Sequence, residues 1–241
     1  TPEQMVRWTR ELVDQYGFKS AKLKCGVLPP DHDVDVIKAL RAEFGPRFGL
    51  RLDPNGYWSR GTAIHVAHAL EECRLEYLED PTWGLEGMAR VKERTSLPLA
   101  TNMCVTNFEH VAAGIAMNSV DIILSDIYYW EGVRGVKTLS TLCDCFRWGL
   151  SMHSGSELGV TMAAMIHTCS TLPNLSYDAD AHYHHLLDDI IEGGLMQPQE
   201  GRYKVPTGPG LGVALDEDRM GRYTELFEKE GDYYARFHED T

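Results

Sequence analysis

Two hydrophobic rhythms alternate along the chain. Apolar positions spaced by three and four mark helix faces, and compact apolar runs between them mark strands. Thr1 stands as the cap of a helix with Pro2 at its first position and Glu3 and Gln4 in its first turn. Met5, Trp8, Leu12 and Val13 give that helix its apolar face. A strand follows over 20–24, closed by Gly26, then a helix carrying Val34, Ile37, Leu40 and Phe44. The pattern then predicts strands over 49–52, 75–78, 97–100, 121–124, 149–152 and 174–177. The helices between them fall over 62–73, 85–95, 108–116, 135–146 and 160–171.

Strands alternating with helices at this pace mean βαβ units and a parallel sheet. The reading gives seven strands where a closed (β/α)8 TIM barrel has eight. Because the chain opens on a helix, the expected fold is α/β, a barrel of this type lacking its first strand. Residues 1–190 carry strands 2–8 of that barrel. From Glu192 the chain turns to Gly193-Gly194, Gln197-Pro198 and Pro209-Gly210-Leu211-Gly212, which reads as loop rather than another repeat.

Ionisable and amide side chains fall at the ends of successive strands: Lys24, Asp53, Glu79, Asn102, Asp126 and His153. Their separations of 29, 26, 23, 24 and 27 residues are each about one βα unit. A parallel barrel brings those ends to one face, where active sites of this fold lie. Asp53, Glu79 and Asn102 offer oxygen donors from three adjacent strands, a set suited to Mg²⁺ with room left for other ligands. Taken singly, such residues also cap the helices that follow. Lys22 lies two residues before Lys24, so both side chains share one strand face. Two ammonium groups held together disfavour double protonation, which suits Lys24 to a base's work. Asp126 precedes His153 by one strand and is placed to orient its imidazole. The plainer alternatives are edge-strand surface lysines and a buried, satisfied histidine.

Composition narrows the field further. A chain of 241 residues, 43% hydrophobic, suits one large domain. A formal charge of −13 argues against a nucleic-acid partner, whose phosphates need a basic face. It does not forbid an anionic substrate, since a site can be locally positive. No apolar run approaches the roughly 20 residues of a membrane span, and no leader pattern opens the chain, so a cytoplasmic protein with no membrane partner is expected. The six cysteines lack the spacing of a disulfide framework and read as reduced.

Lys22-Leu23-Lys24, Asp53-Pro54-Asn55-Gly56, Glu79-Asp80-Pro81, Asp126 and His153 together resemble the enolase superfamily, in its mandelate-racemase-like branch. Asparagine as third ligand, in Ala100-Thr101-Asn102-Met103, resembles the glucarate dehydratase group within it. Leu124-Ser125-Asp126 with Trp130, His153-Ser154, and Pro209-Gly210-Leu211-Gly212-Val213 point the same way. The resemblance implies a lyase of carbohydrate-acid catabolism, a Mg²⁺-dependent dehydratase of sugar diacids. Lys24 or His153 would take the proton beside a carboxylate, and His153 would protonate the departing β-hydroxyl to give a keto-deoxy sugar acid. Asn55, Asn102, Ser154 and His182 would contact substrate, His182 through the motif Asp180-Ala181-His182-Tyr183. The cluster His182, His184, His185 reads equally as a solvated loop.

The resemblance also implies an N-terminal α+β capping domain, against which a C-terminal extension over 191–241 would pack, and association into a homo-oligomer. Where the family carries asparagines after His153-Ser154, this chain has Gly155-Ser156-Glu157. Glu157 would disfavour a dianionic substrate there. Two other readings keep the residues and change the outcome: a racemase or epimerase working both faces of one carbon, and a barrel fragment that binds without turnover.

Overall fold

The structure is a computed structural model that describes residues 1–155, 157–180 and 182–231. Ser156, Ala181 and the end of the 191–241 extension lie outside the described residues. Six parallel strands form one sheet in sequence order: β1 (Ser20–Lys24), β2 (Gly49–Asp53), β3 (Tyr77–Glu79), β4 (Leu99–Thr101), β5 (Ile122–Ser125) and β6 (Gly149–Met152). The helices α1 (Pro2–Tyr16), α2 (Pro30–Phe44), α3 (Arg60–Ala69), α4 (Leu85–Lys92), α5 (Phe108–Met117), α6 (Gly132–Phe146) and α7 (Gly159–Ser170) alternate with them.

Strand pleat divides the residues between two environments. Leu50 and Leu52, Leu78, Leu99, Ile123, Leu150 and Met152 are buried toward the helices, against Ile37, Leu40, Val66, Met88, Val91, Val136 and Leu139. The intervening residues Arg51, Asp53, Tyr77, Glu79 and Ala100 point to the concave face. A small separate cluster there joins Tyr77, Ala100, Ile122 and Leu124, with Tyr177 packed against it. The sheet curls until its ends meet. Laid flat, six strands would place the outer two roughly 24 Å apart. Instead Lys22 of β1 reaches Asp180, beyond β6, at 2.5 Å, and the Ser20 hydroxyl donates to Asp178 at 3.3 Å.

Two expectations need correction. The seventh strand over 174–177 is not a strand; the segment bonds to β6 at separate points, Ser176 N to Leu150 O and Asp180 N to Met152 O, both 2.9 Å. Its path is diverted by side chains. Asn174 is tied to Ser140 through its amide, at 2.8 Å to the carbonyl, and the Ser176 hydroxyl turns back on the Asn174 carbonyl. The tail, read as loop, contains α8 (Glu217–Glu230), capped by Asp216 and opened by Glu217 and Asp218. It buries none of its residues, and the extension meets the rest of the chain by loop contacts such as Asp216 N to Ile190 O and Gly201 N to Tyr16 O. Among the described residues no helix is long and apolar enough to cross a membrane.

Gly135 shows how tightly the outer layer fits. A Cβ there would stand 1.6 Å from the Trp130 carbonyl oxygen. Alanine is the better helix former, but the backbone would have to move to admit it. Gly135→Ala is expected to cost at least about 2 kcal/mol, read as a lower midpoint in urea denaturation.

Candidate active site

The strand ends converge as the alternation implies, and they converge on a lysine. Lys22, on β1, places Nζ 2.9 Å from Glu79 Oε2, 2.5 Å from Asp180 Oδ2 and 3.5 Å from Asp53 Oδ2. Burial alone would lower its pKa, but the three carboxylates overcome that and raise it above the usual lysine range. Lys24 bonds Asp53 Oδ2 and donates to Asn55 Oδ1 at 3.1 Å. The two ammonium groups therefore share one carboxylate oxygen, and Lys24 is the more exposed of the pair.

Asp53 and Glu79 are fully buried, and Asn102 adjoins them by donating its amide to Glu79 Oε1 at 2.8 Å. Turning that amide over would present its oxygen instead. Burial raises the Glu79 carboxyl well above its ordinary value; Lys22 opposes this, while Asp53 and Asp180 add to it. A buried carboxyl pushed up beside other acids is where a divalent cation would relieve the most repulsion. The oxygen donors and their crowding thus fit the predicted metal set. Among the described residues no group of three or more His, Cys, Asp or Glu has metal-binding geometry. The third member of the predicted set is an asparagine, outside those four residue types, and the two carboxylates are held by lysines.

Asp80, next to Glu79, serves the local backbone. Its oxygens accept the Thr101 hydroxyl at 2.5 Å and the Asn102 N–H at 2.8 Å, fixing the turn that carries Asn102. Burial pushes its pKa up to about 6, against the Thr101 and Asn102 hydrogen bonds.

Across the mouth, Asp126 Oδ2 lies 3.7 Å from His153 Nδ1, while its Oδ1 accepts the N–H groups of Tyr128 and Tyr129 at 2.8 and 2.7 Å. The carboxylate is fixed by its own loop and faces the imidazole. His153 also contributes to the field at Asp180, so the pair belongs to the same site as the lysines.

Ser154 is held within its own loop. It is buried, donates to Glu157 Oε2 at 2.5 Å and accepts the His182 N–H at 3.0 Å. Glu157 is buried too, and its other oxygen accepts the Gly155 N–H. The carboxylate that sequence reading set against a dianion is therefore used within its loop. His182 is half-buried with its pKa lowered, first by burial and then by Lys22. Its ring lies 6.3 Å from that of His185, which is exposed and 3.9 Å from the His184 ring.

Sequence reading missed Arg51 and the part played by Asp180. Arg51 lies two residues before Asp53, so the strand period already placed it on the site's face. Its guanidinium donates to Asp180 Oδ1 at 2.9 Å and to Glu76 Oε2 at 2.7 Å. Asp180 is held below the usual carboxylate range, the effect of burial being overcome by Lys22 and Arg51.

At its strand ends the curled parallel βα sheet thus carries oxygen donors, two lysines and a His–Asp pair. The chain belongs to the enolase C-terminal domain-like family, whose model matches residues 4–219. It is 44% identical over 219 residues to the "Probable glucarate dehydratase" of Streptomyces coelicolor, covering 91% of this chain and 50% of that protein. It is 25% identical over 206 residues to muconate cycloisomerase 1 of Pseudomonas putida, covering 84% of this chain and 54% of that protein. An enolase of Pseudomonas fluorescens Pf0-1, solved with bound magnesium, potassium and tartrate, superposes with a TM-score of 0.92 at 45% identity. That match covers 96% of this chain and 54% of the other. The chain spans about half the length of the curated relatives it matches.

The Ser154 geometry carries its own expectation. Ser154→Ala strips a donor from buried Glu157 and an acceptor from the His182 N–H, which should cost about 1–3 kcal/mol. Chemical denaturation should show that loss at pH 7. A selective rise in KM with stability unchanged would instead restore Ser154 as a substrate contact.

Proposed function

We propose that this chain forms the catalytic barrel of a Mg²⁺-dependent acid-sugar dehydratase, a hydro-lyase acting on a sugar diacid of the glucarate type. The single observation that carries the reading is the gathering of Asp53, Glu79 and Asn102 between Lys24 on one side and the Asp126–His153 pair on the other. The likeness to the "Probable glucarate dehydratase" supports the substrate class, as does the tartrate held by the Pseudomonas fluorescens relative, itself a hydroxy diacid.

Asp53, Glu79 and Asn102 would hold Mg²⁺, which supplies positive charge beside the substrate carboxylate and so acidifies the neighbouring C–H. Lys24, anchored by Asp53 and Asn55 at the open side of the site, takes that proton from one face, or His153 takes it from the other, as the substrate's configuration dictates. The electron pair of the broken C–H bond moves into the carboxylate as an enediolate. It then expels the β-hydroxyl, which leaves as water with a proton from His153. The resulting enol tautomerises to a keto-deoxy acid. Asp126 keeps the imidazole turned to this work. Lys22 stays protonated among three carboxylates and acts as a fixed positive charge, not as a base.

The test is incubation of the intact protein with Mg²⁺ in D₂O against a panel of hexarates, followed by proton NMR. Mg²⁺-dependent loss of an α-proton signal with a new deoxy-methylene signal is the expected result. Exchange without the methylene signal would replace the dehydratase by an epimerase, and no exchange in protein that binds Mg²⁺ would overturn both. In the same assay Asn102→Ala is expected to weaken Mg²⁺ binding and turnover together. Lys24→Ala should leave Mg²⁺ binding near wild type in calorimetry while exchange from its face falls by about 10²–10⁴-fold.

A further inference from the structure

The inside of a small parallel barrel is ordinarily filled by layers of branched apolar side chains. Here a guanidinium occupies that space. Arg51 is 2% exposed, lies 4.9 Å over the Tyr77 ring centroid, and carries an Nη2 without a hydrogen-bond partner. Its Nε donates to Glu76 and its Nη1 to Asp180 Oδ1. Asp180 spends its other oxygen on Lys22, whose ammonium goes on to Glu79 and Asp53. One line of charge-assisted contacts therefore runs from Glu76, partly exposed, through the buried interior to the acids of the site.

We propose that Arg51 is a positioning residue for Lys22, acting through Asp180. A lysine is a point charge on a flexible stem, and among three carboxylates it has several comparable seats. Only a carboxylate of fixed orientation selects one. The planar guanidinium supplies that orientation, because it holds one oxygen of Asp180 and leaves the other aimed at Lys22. Glu76 and the Tyr77 ring fix the guanidinium in turn. With Arg51 gone, both oxygens of Asp180 would be free to take Lys22, and the ammonium would be drawn from Glu79 and Asp53.

The kinetic consequence rests on the proposed reaction; the placement of Lys22 does not, so the two are read separately. Crystal structures of the intact protein carrying Arg51→Met and Arg51→Lys give the placement. In Arg51→Met, Lys22 Nζ is expected to leave Glu79 Oε2, and Arg51→Lys should restore the contact in part. A Lys22 that keeps its seat in Arg51→Met overturns the proposal. The α-proton exchange rate, compared for Arg51→Met, Asp180→Asn and the double variant, gives the coupling. Each single change should slow exchange by about 10–100-fold, and the double change little further, since both cut one line. Additive losses would mean that Arg51 acts elsewhere and would likewise overturn it. Should Arg51→Met fail to fold, Glu76→Gln leaves the guanidinium in place and frees one side of it. It should then shift Lys22 in the same direction by a smaller amount, and an unmoved Lys22 there would also count against the proposal.

Discussion

The structure turns on one ammonium group held among carboxylates that no water reaches freely. Lys22 is nearly buried, and burying a charge costs several kcal/mol unless its partners compensate. Asp53, Glu79 and Asp180 come from β2, β3 and the segment beyond β6, so compensation requires that the sheet curl until its first strand faces its last connection. The ion cluster and the curvature therefore depend on each other. Apolar residues of similar volume would hold a barrel as well or better. What the charged interior adds is a set of carboxylates whose protonation and cation affinity are fixed by geometry.

That dependence explains how much of the molecule was legible beforehand. In a parallel sheet of this kind the outward positions are apolar by necessity, so Leu50, Leu52, Leu78 and Leu150 announce strands whatever the function. The inward positions are free to be polar, and Lys24, Asp53, Glu79 and Asn102 stood out there because polar residues at strand ends break an apolar run. Arg51 followed the same period and was overlooked because an interior arginine looks like a strand residue facing solvent. The segment over 174–177 misled for the opposite reason. Its composition suits a strand, while Asn174 ties its side chain to Ser140 of α6 and the Ser176 hydroxyl turns back on local backbone, a competition that apolar spacing does not register. The helix over 217–230 buries no residue, and its signal was the Asp216 cap, the acidic first turn and the helical spacing of Met220, Tyr223, Leu226 and Phe227.

Loops at the mouth carry a second lesson about reading charge from sequence. Glu157 looked like a repulsive element at the distal end of a pocket. In the fold its oxygens take the Ser154 hydroxyl and the Gly155 N–H, so it organises the turn between β6 and α7. Asp80 does the same for the turn after β4, and Asp126 for the turn after β5. Three of the turns on this face thus have their backbone N–H groups held by a buried carboxylate.

The balance at the site follows from which charges remain uncommitted. Asp180 is shared between Lys22 and Arg51, and Lys22 between three acids, so these groups face one another rather than the opening. Lys24 stands at the open side with Asp53 as its partner, and the Asp126–His153 pair closes the other. A carboxylate entering this mouth meets Lys24 and the oxygen set beneath it, where a divalent cation would turn a crowded group of acids into a seat for an anion. The acids of the interior are thus held by Lys22 and Arg51 within the barrel, and the lysine nearest solvent, Lys24, is the one that shares its carboxylate with the site's opening.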